Sequence, residues 1–144
     1  MNEITATKVH WSFWIISLFA LLWNIGGSIN YLMQTDHEFV TTLPETHKAI
    51  IEGRPFWATG GFALGVFGGA IGCLLLLFKK YASLYFFIVS LAGIAITMLH
   101  TINVANSPVS FTFGEIFVMI ALPLVVAALL IWYTVFVKRR GWIS

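Results

Sequence analysis

Residues 55–78 read PFWATGGFALGVFGGAIGCLLLLF, and no side chain in this stretch carries a charge. A helix that crosses a bilayer needs about 20 mostly apolar residues, and this stretch meets that length. Three more do the same: 11–33 (WSFWIISLFALLWNIGGSINYLM), 81–102 (YASLYFFIVSLAGIAITMLHTI) and 113–137 (FGEIFVMIALPLVVAALLIWYTVFV). A segment in hydrocarbon must satisfy its own backbone groups, which makes each of them a helix. Membrane strands would alternate polar and apolar residues over about ten positions, and these runs do not. The expected fold is therefore all-α: a membrane-embedded up-down bundle of four helices in one domain over 1–144.

Composition agrees. Of the 144 residues, 59% are hydrophobic and 10% charged; soluble domains carry about 25% charged residues. A water-soluble fold of this size could not hide so much apolar surface. Several Trp and Tyr residues flank the spans, as expected of side chains with an apolar body and a polar tip at headgroup depth. The net charge of +2 comes from short basic clusters beside the spans, which is no nucleic-acid surface. The one cysteine, Cys73, lies deep in an apolar run, so a disulfide framework and a cysteine metal knuckle are both excluded. The first span is longer than the roughly 7–15 residues of a signal-peptide core and has no small-residue cleavage site, so it reads as a retained helix.

Orientation follows from the lysines and arginines. If four helices alternate, Lys8, Lys79, Lys80, Lys138, Arg139 and Arg140 share one side and only Lys48 and Arg54 lie on the other. That bias places both termini in the cytoplasm. The link at Lys79–Lys80 is short enough to make spans two and three a tight antiparallel hairpin. The outer loop 34–54 is the longest polar stretch. Within it Leu43–Glu52 reads as a short helix, with Thr42 as N-cap, Pro44 in an early helical position and Gly53 as the stop. Its Ala49, Ile50 and Ile51 form a partly apolar side that can rest on the membrane surface.

The strongest local pattern is glycine. Gly61, Gly65 and Gly69 recur every four residues, and Gly68 with Gly72 repeats that spacing. Such a face lets another helix approach closely, inside the bundle or in a dimer. In span one, Asn24, Gly27, Ser28 and Tyr31 share a face, with Asn30 on an adjacent one. Amides in hydrocarbon need partners, so these faces look inward, toward interhelical hydrogen bonds or a polar solute. The Gly26–Gly27 pair marks a place where the helix can kink.

Ser90, Gly93, Thr97 and His100 form a small, polar stripe on span three. His100 and Glu115 fall near the outer surface at a shared depth, so a His–Glu pair is expected, for structure or for binding. Glu115 also suits a helix N-terminus, and Pro123 is expected to bend span four. The outer-loop residues Asp36, His37, Glu38, Glu45 and His47 follow no metal-ligand spacing. A bis-histidine haem site would need a second histidine at the depth of His100, and His37 reaches it only if the loop folds back. No metal and no cofactor is therefore expected. The chain has no nucleophile motif, no phosphate loop and no acid at the central depth of a span. These absences argue against an enzyme and against a pump built on buried acids.

The patterns W..FWIISLFALLWNIGGSINYLMQ and LPETHKAIIEGRPFWATGGFALGVFGGAIGCLLLLFKK resemble a family of small four-span proteins of Gram-negative bacteria, often labelled "sugar transporter". The similarity covers nearly the whole chain. Its most specific parts are Leu22-Trp23-Asn24, Pro55 to Thr59, Val66-Phe67-Gly68-Gly69 and Gly141-Trp142. The resemblance implies a bacterial inner-membrane protein and carries over no functional residue. Two functions are expected. One is a permease-like or channel-like component for a small solute, whose thin wall of four spans implies a homo-oligomer joined through the glycine seam. The other is an accessory subunit packed beside another membrane protein. Membrane lipid is a partner in either case. The candidate binding or polar-network residues are Asn24, Asn30, Tyr31, Thr97, His100 and Glu115.

Overall fold

A computed structural model describes residues 7–144. The chain forms α1 (Trp11–Met33), α2 (His37–Thr41), α3 (Glu45–Glu52), α4 (Phe56–Leu77), α5 (Ser83–Ala105), α6 (Phe113–Ile116), a π-helical turn (Phe117–Ala121) and α7 (Leu122–Arg139). Four helical stretches are long and apolar enough to cross a membrane: α1, α4, α5 and the run α6–π–α7. Large apolar side chains point outward all along them, with Phe19 at 70% exposure and Phe56 at 93%. Hydrocarbon is the solvent for which such a surface is built. The chain is an all-helical multi-pass membrane protein.

The helices pack as a row. The main contacts run α1 to α4, α4 to α5 and α5 to α7. The α4–α5 seam is the closest. A Cβ added at Gly61 would lie 2.7 Å from the Gly93 carbonyl oxygen, and one added at Gly93 only 2.5 Å from that of Gly61. The two backbones therefore touch. Ser90 donates to the Gly65 carbonyl, and Thr97 donates to that of Ala58 at 2.8 Å. Such hydroxyl bonds between helices are worth roughly 1 kcal/mol or less each. Gly68 and Gly72 face Ser90 and Phe87, and Gly69 meets Asn24 of α1. The glycine seam is thus filled inside the bundle. This corrects the expectation that it joins two copies: Gly61, Gly65, Gly68, Gly69 and Gly72 are all buried.

At the end of the bundle that carries most of the basic residues, all four spans meet. Phe13 and Ala20 of α1, Cys73 and Leu76 of α4, Phe87 of α5, and Leu130, Tyr133 and Val137 of α7 share one core, joined by Ile143. Two Schellman turns shape this end. After α4, the amides of Lys79 and Lys80 bond the carbonyls of Leu76 and Leu75, with Lys79 at φ 59°. After α7, the amides of Gly141 and Trp142 bond Lys138 and Val137, with Gly141 at φ 72°. A left-handed residue at that position frees the chain to turn back. Segment 141–144 then clamps the α4–α5 link: Ser144 N–H donates to Lys79 O at 3.0 Å and Tyr81 N–H to Ser144 O at 2.9 Å. His10 stacks on Trp142, so the start of α1 and the segment 141–144 lie on the same side of the bundle.

Loop 34–54, at the end of the bundle termed outer as opposed to the Lys79–Lys80 end, holds two helices where the sequence predicts one. Asp36 caps α2, its Oδ1 accepting the Glu38 amide at 2.9 Å. Thr42 does not cap α3. Its hydroxyl donates back to Phe39 O and closes α2, while Pro44 occupies the N-cap of α3. Gly53 ends α3 as expected. In span four, the proline effect takes the form of a widened turn. Pro123 has no N–H, and its ring would collide with the carbonyl of Met119 in a regular helix. The π turn just before it spreads the backbone, with Leu122 N–H reaching back to Phe117 O. In span one, α1 runs unbroken through Gly26 and Gly27.

Candidate functional site

Toward the outer end, α1 and the α6–π–α7 run are not packed against each other. A cavity of about 600 Å³ fills the space between α1, α4, α5 and the π turn, with α3 as its roof. Its size lies within the ~300–1,000 Å³ range of ligand pockets.

The roof is held by the two residues expected to pair. His100 Nε2–H donates to the Ile50 carbonyl of α3 at 2.9 Å. Glu115 accepts from the Thr46 hydroxyl of α3 at 2.7 Å. It also accepts from the Thr112 amide at 2.8 Å and completes a capping box with Thr112 at the start of α6. The His100–Glu115 pair is therefore corrected: each residue binds α3 instead of the other, and neither lines the cavity. Helix α3 is pinned to α5 on one side and to α6 on the other.

The remaining candidates divide. Asn24 forms part of the cavity floor, about midway along α1. Its Nδ2 donates to Ala20 O at 2.9 Å and to Cys73 Sγ at 3.6 Å, which gives both amide N–H groups partners in hydrocarbon. Asn30 is on the wall and accepts from Gln34 Nε2 at 3.3 Å. Thr97 lines the wall, although its hydroxyl proton is already committed to Ala58 O. Tyr31 is not on the wall. Its ring packs edge-on against Phe62 and Phe67 at 5.4 and 5.6 Å.

Arg54 is the residue that sequence reasoning missed. It stands just before α4, where it counts only as one of two outer cations, yet its side chain turns into the cavity with Gln34, His47 and Thr101. One Nη donates to Gln34 Oε1 at 2.8 Å, and the guanidinium carbon lies 5.1 Å from the Phe62 ring centre. Its Nε is buried with no partner. Among the described residues the only ion pair is Lys48–Glu45, so no carboxylate neutralises Arg54. Burial pushes its pKa below the ordinary value. Even so, a guanidinium stays charged in proteins, and the cavity holds a fixed positive charge. The available signal was placement: an arginine joined directly to an apolar span, with a glutamine just past the end of the preceding one.

A second space adjoins the first. It is a groove of about 530 Å³ between α1 and α7, lined among others by Ile16, Phe19, Trp23, Leu129, Trp132 and Tyr133. Trp23 walls both spaces. No acidic side chain lines either one. Among the described residues no three His, Cys, Asp or Glu side chains gather as metal ligands. Comparison with known proteins returns no match among family models, curated proteins or solved structures.

Proposed function

We propose that this chain is a permease-like, non-catalytic membrane component that receives a small solute in the cavity beneath α3. The observation that carries this reading is a cavity lined by amides, hydroxyls and an unneutralised guanidinium on an otherwise apolar bundle. Polar groups at membrane depth are costly, and a place where several converge is a candidate binding site. The six-to-two distribution of basic residues supports a cytoplasmic side at the Lys79–Lys80 end. On that orientation the cavity faces outward, and the core of Phe13, Leu76 and Phe87 closes it from within. Passage would then require that plug to loosen, as in alternating access. The amides, hydroxyls and lone guanidinium lack a nucleophile–base pair, which favours binding over catalysis.

The test is flux in proteoliposomes across a broad solute panel. Gly26 lines the cavity, and a Cβ built there meets nothing within 4 Å. Gly26→Leu should therefore fill the cavity without disturbing the fold. We expect saturable flux of at least one solute, lost in Gly26→Leu and weakened in Asn30→Ala. Folded protein that moves nothing in the panel, or flux untouched by Gly26→Leu, overturns the proposal. The carbon-lined groove between α1 and α7 favours a second reading, an accessory subunit with a partner helix seated there. A stable heteromeric complex after gentle detergent extraction would support that reading, and a clean homo-oligomer or monomer would count against it.

A further inference from the structure

We propose that the cavity and the adjoining groove together hold one long-chain amphiphile, its carboxylate or phosphate head at Arg54 and its chain between α1 and α7. The inference rests on the reading of the cavity as a binding site and names the class of its ligand.

Charge is the first argument. A guanidinium has five N–H donors. At Arg54 one contact goes to Gln34, and the buried Nε–H has no partner. Among the described residues no carboxylate reaches it. A cation held at the edge of hydrocarbon without a counter-ion is costly, and a planar fork of donors matches an oxyanion. Asn30, Gln34 and His47 lie at the same outer end and supply further polar contacts to a head group.

The second argument is the division into wet and dry parts. A sugar or other polyol needs hydrogen-bond partners around its whole surface. The groove offers almost none, since its lining is aliphatic and aromatic apart from ring N–H groups and the Tyr133 hydroxyl. That hydroxyl is itself buried without a partner. A ligand that fills both spaces must be polar at one end and apolar along the rest.

Direction is the third argument. Arg54 lies at the outer end of the bundle, and the groove runs from Trp23 toward the inner core. A lipid of the outer leaflet has the same polarity, head outward and chain inward. Because α1 and α7 are not packed together along this stretch, such a molecule can slide in sideways without turning over.

The experiment uses the full chain in nanodiscs of zwitterionic lipid. They are titrated with dibrominated stearate, with a lysophosphatidic acid bearing the same brominated chain, and with the corresponding neutral alcohol. Bromine quenches nearby tryptophans, and Trp23 and Trp132 line the groove. We expect saturable quenching by at least one of the two acids, the tighter one identifying the head as carboxylate or phosphate. The saturable part should vanish in a Trp23→Phe/Trp132→Phe variant. Arg54→Gln should weaken binding about tenfold or more, the effect of losing a charged hydrogen-bond partner. If Arg54→Gln fails to fold, Val126→Phe decides: it narrows the groove, leaves Arg54 in place and should also weaken binding. Absence of saturable quenching by both acids overturns the proposal. So does equal binding of the alcohol, affinity unchanged in both variants, or a second subunit found seated in the groove. The two proposals fail separately. Flux of a polar solute without amphiphile binding removes only the ligand class, and amphiphile binding without flux removes only transport.

Discussion

The two ends of the bundle solve the packing problem differently. At the inner end every span contributes to one core, and the Gly141–Ser144 segment closes over it with backbone hydrogen bonds to the α4–α5 link. At the outer end α4 and α5 remain in backbone contact, while α1 and α7 stand apart and leave a cavity between them. Lipid is as apolar as leucine, so helices in a bilayer associate through close contact and polar bonds and gain little from hiding oil. Where glycines and hydroxyls line up, the helices join. Where Trp23 of α1 and Val118 and Met119 of the π turn border the space, they stay apart. The contrast places the tightest packing at the Lys79–Lys80 end and in the α4–α5 hairpin, and the open space along α1 and α7.

The largest effect should come from breaking the hairpin. In Gly93→Leu the new side chain meets the Gly61 carbonyl and the Gly65 amide, and backbone cannot yield as a side chain can. A loss of about 3 kcal/mol or more is expected, the upper end for overpacking. Unfolding in mixed micelles would measure it, and a change within error would show that the outer half tolerates separation on this side too.

Next comes the inner core. Phe87 is 1% exposed, and Phe87→Ala should cost on the order of 2–3 kcal/mol. That is less than the ~3–5 kcal/mol of a water-soluble core, because lipid replaces water as the reference solvent. Phe62 lines the cavity, and Phe62→Ala should cost much less, since its ring already borders open space. Equal losses at the two positions would erase the distinction between the ends. A smaller effect is expected at the C-terminal turn. Gly141→Ala places a Cβ on a left-handed residue and should lower stability by about 1 kcal/mol. Hydrogen exchange of the Tyr81 amide, which the turned-back segment protects, would report it.

Much of this contrast can be read from the chain before any coordinate. Spans appear as runs of apolar residues, because the bilayer imposes one length on every crossing. The seam and its partner also appear, as a glycine period on span two and a Ser90–Gly93–Thr97 stripe on span three. That these two stripes face each other follows once the hairpin link is only a few residues long. The roof and the cation are harder to see. His100 binds the carbonyl of Ile50, and a carbonyl has no signature in the sequence because every residue has one. Arg54 is an ordinary interfacial arginine until the fold directs it inward and leaves it without an acid. Thr46 and Glu115 lie 69 positions apart, and no local pattern links them.

The smallest predicted effect concerns that roof. Thr46 gives its hydroxyl proton to Glu115, which also accepts the Thr112 amide. Thr46→Val keeps the shape of the side chain and removes only the donor. Glu115 keeps its capping box, so α6 should remain intact. The Glu115 carboxylate is ionised but open to water, which screens this hydrogen bond and keeps its effect small. Its loss should be felt where the bond acts, in the grip on α3, and hardly at all in the inner core. Amide exchange across Glu45–Glu52 should speed up several-fold, while the amides around Phe87 and Leu130 keep their protection. His100→Phe cuts the other attachment, so the double variant should release α3 more than the two single changes added together. If exchange rises equally at both ends of the bundle, α3 is part of one cooperative unit and no roof that opens by itself. If it rises only in α3, the outer end can open while the inner end stays shut, as a binding cavity facing outward requires.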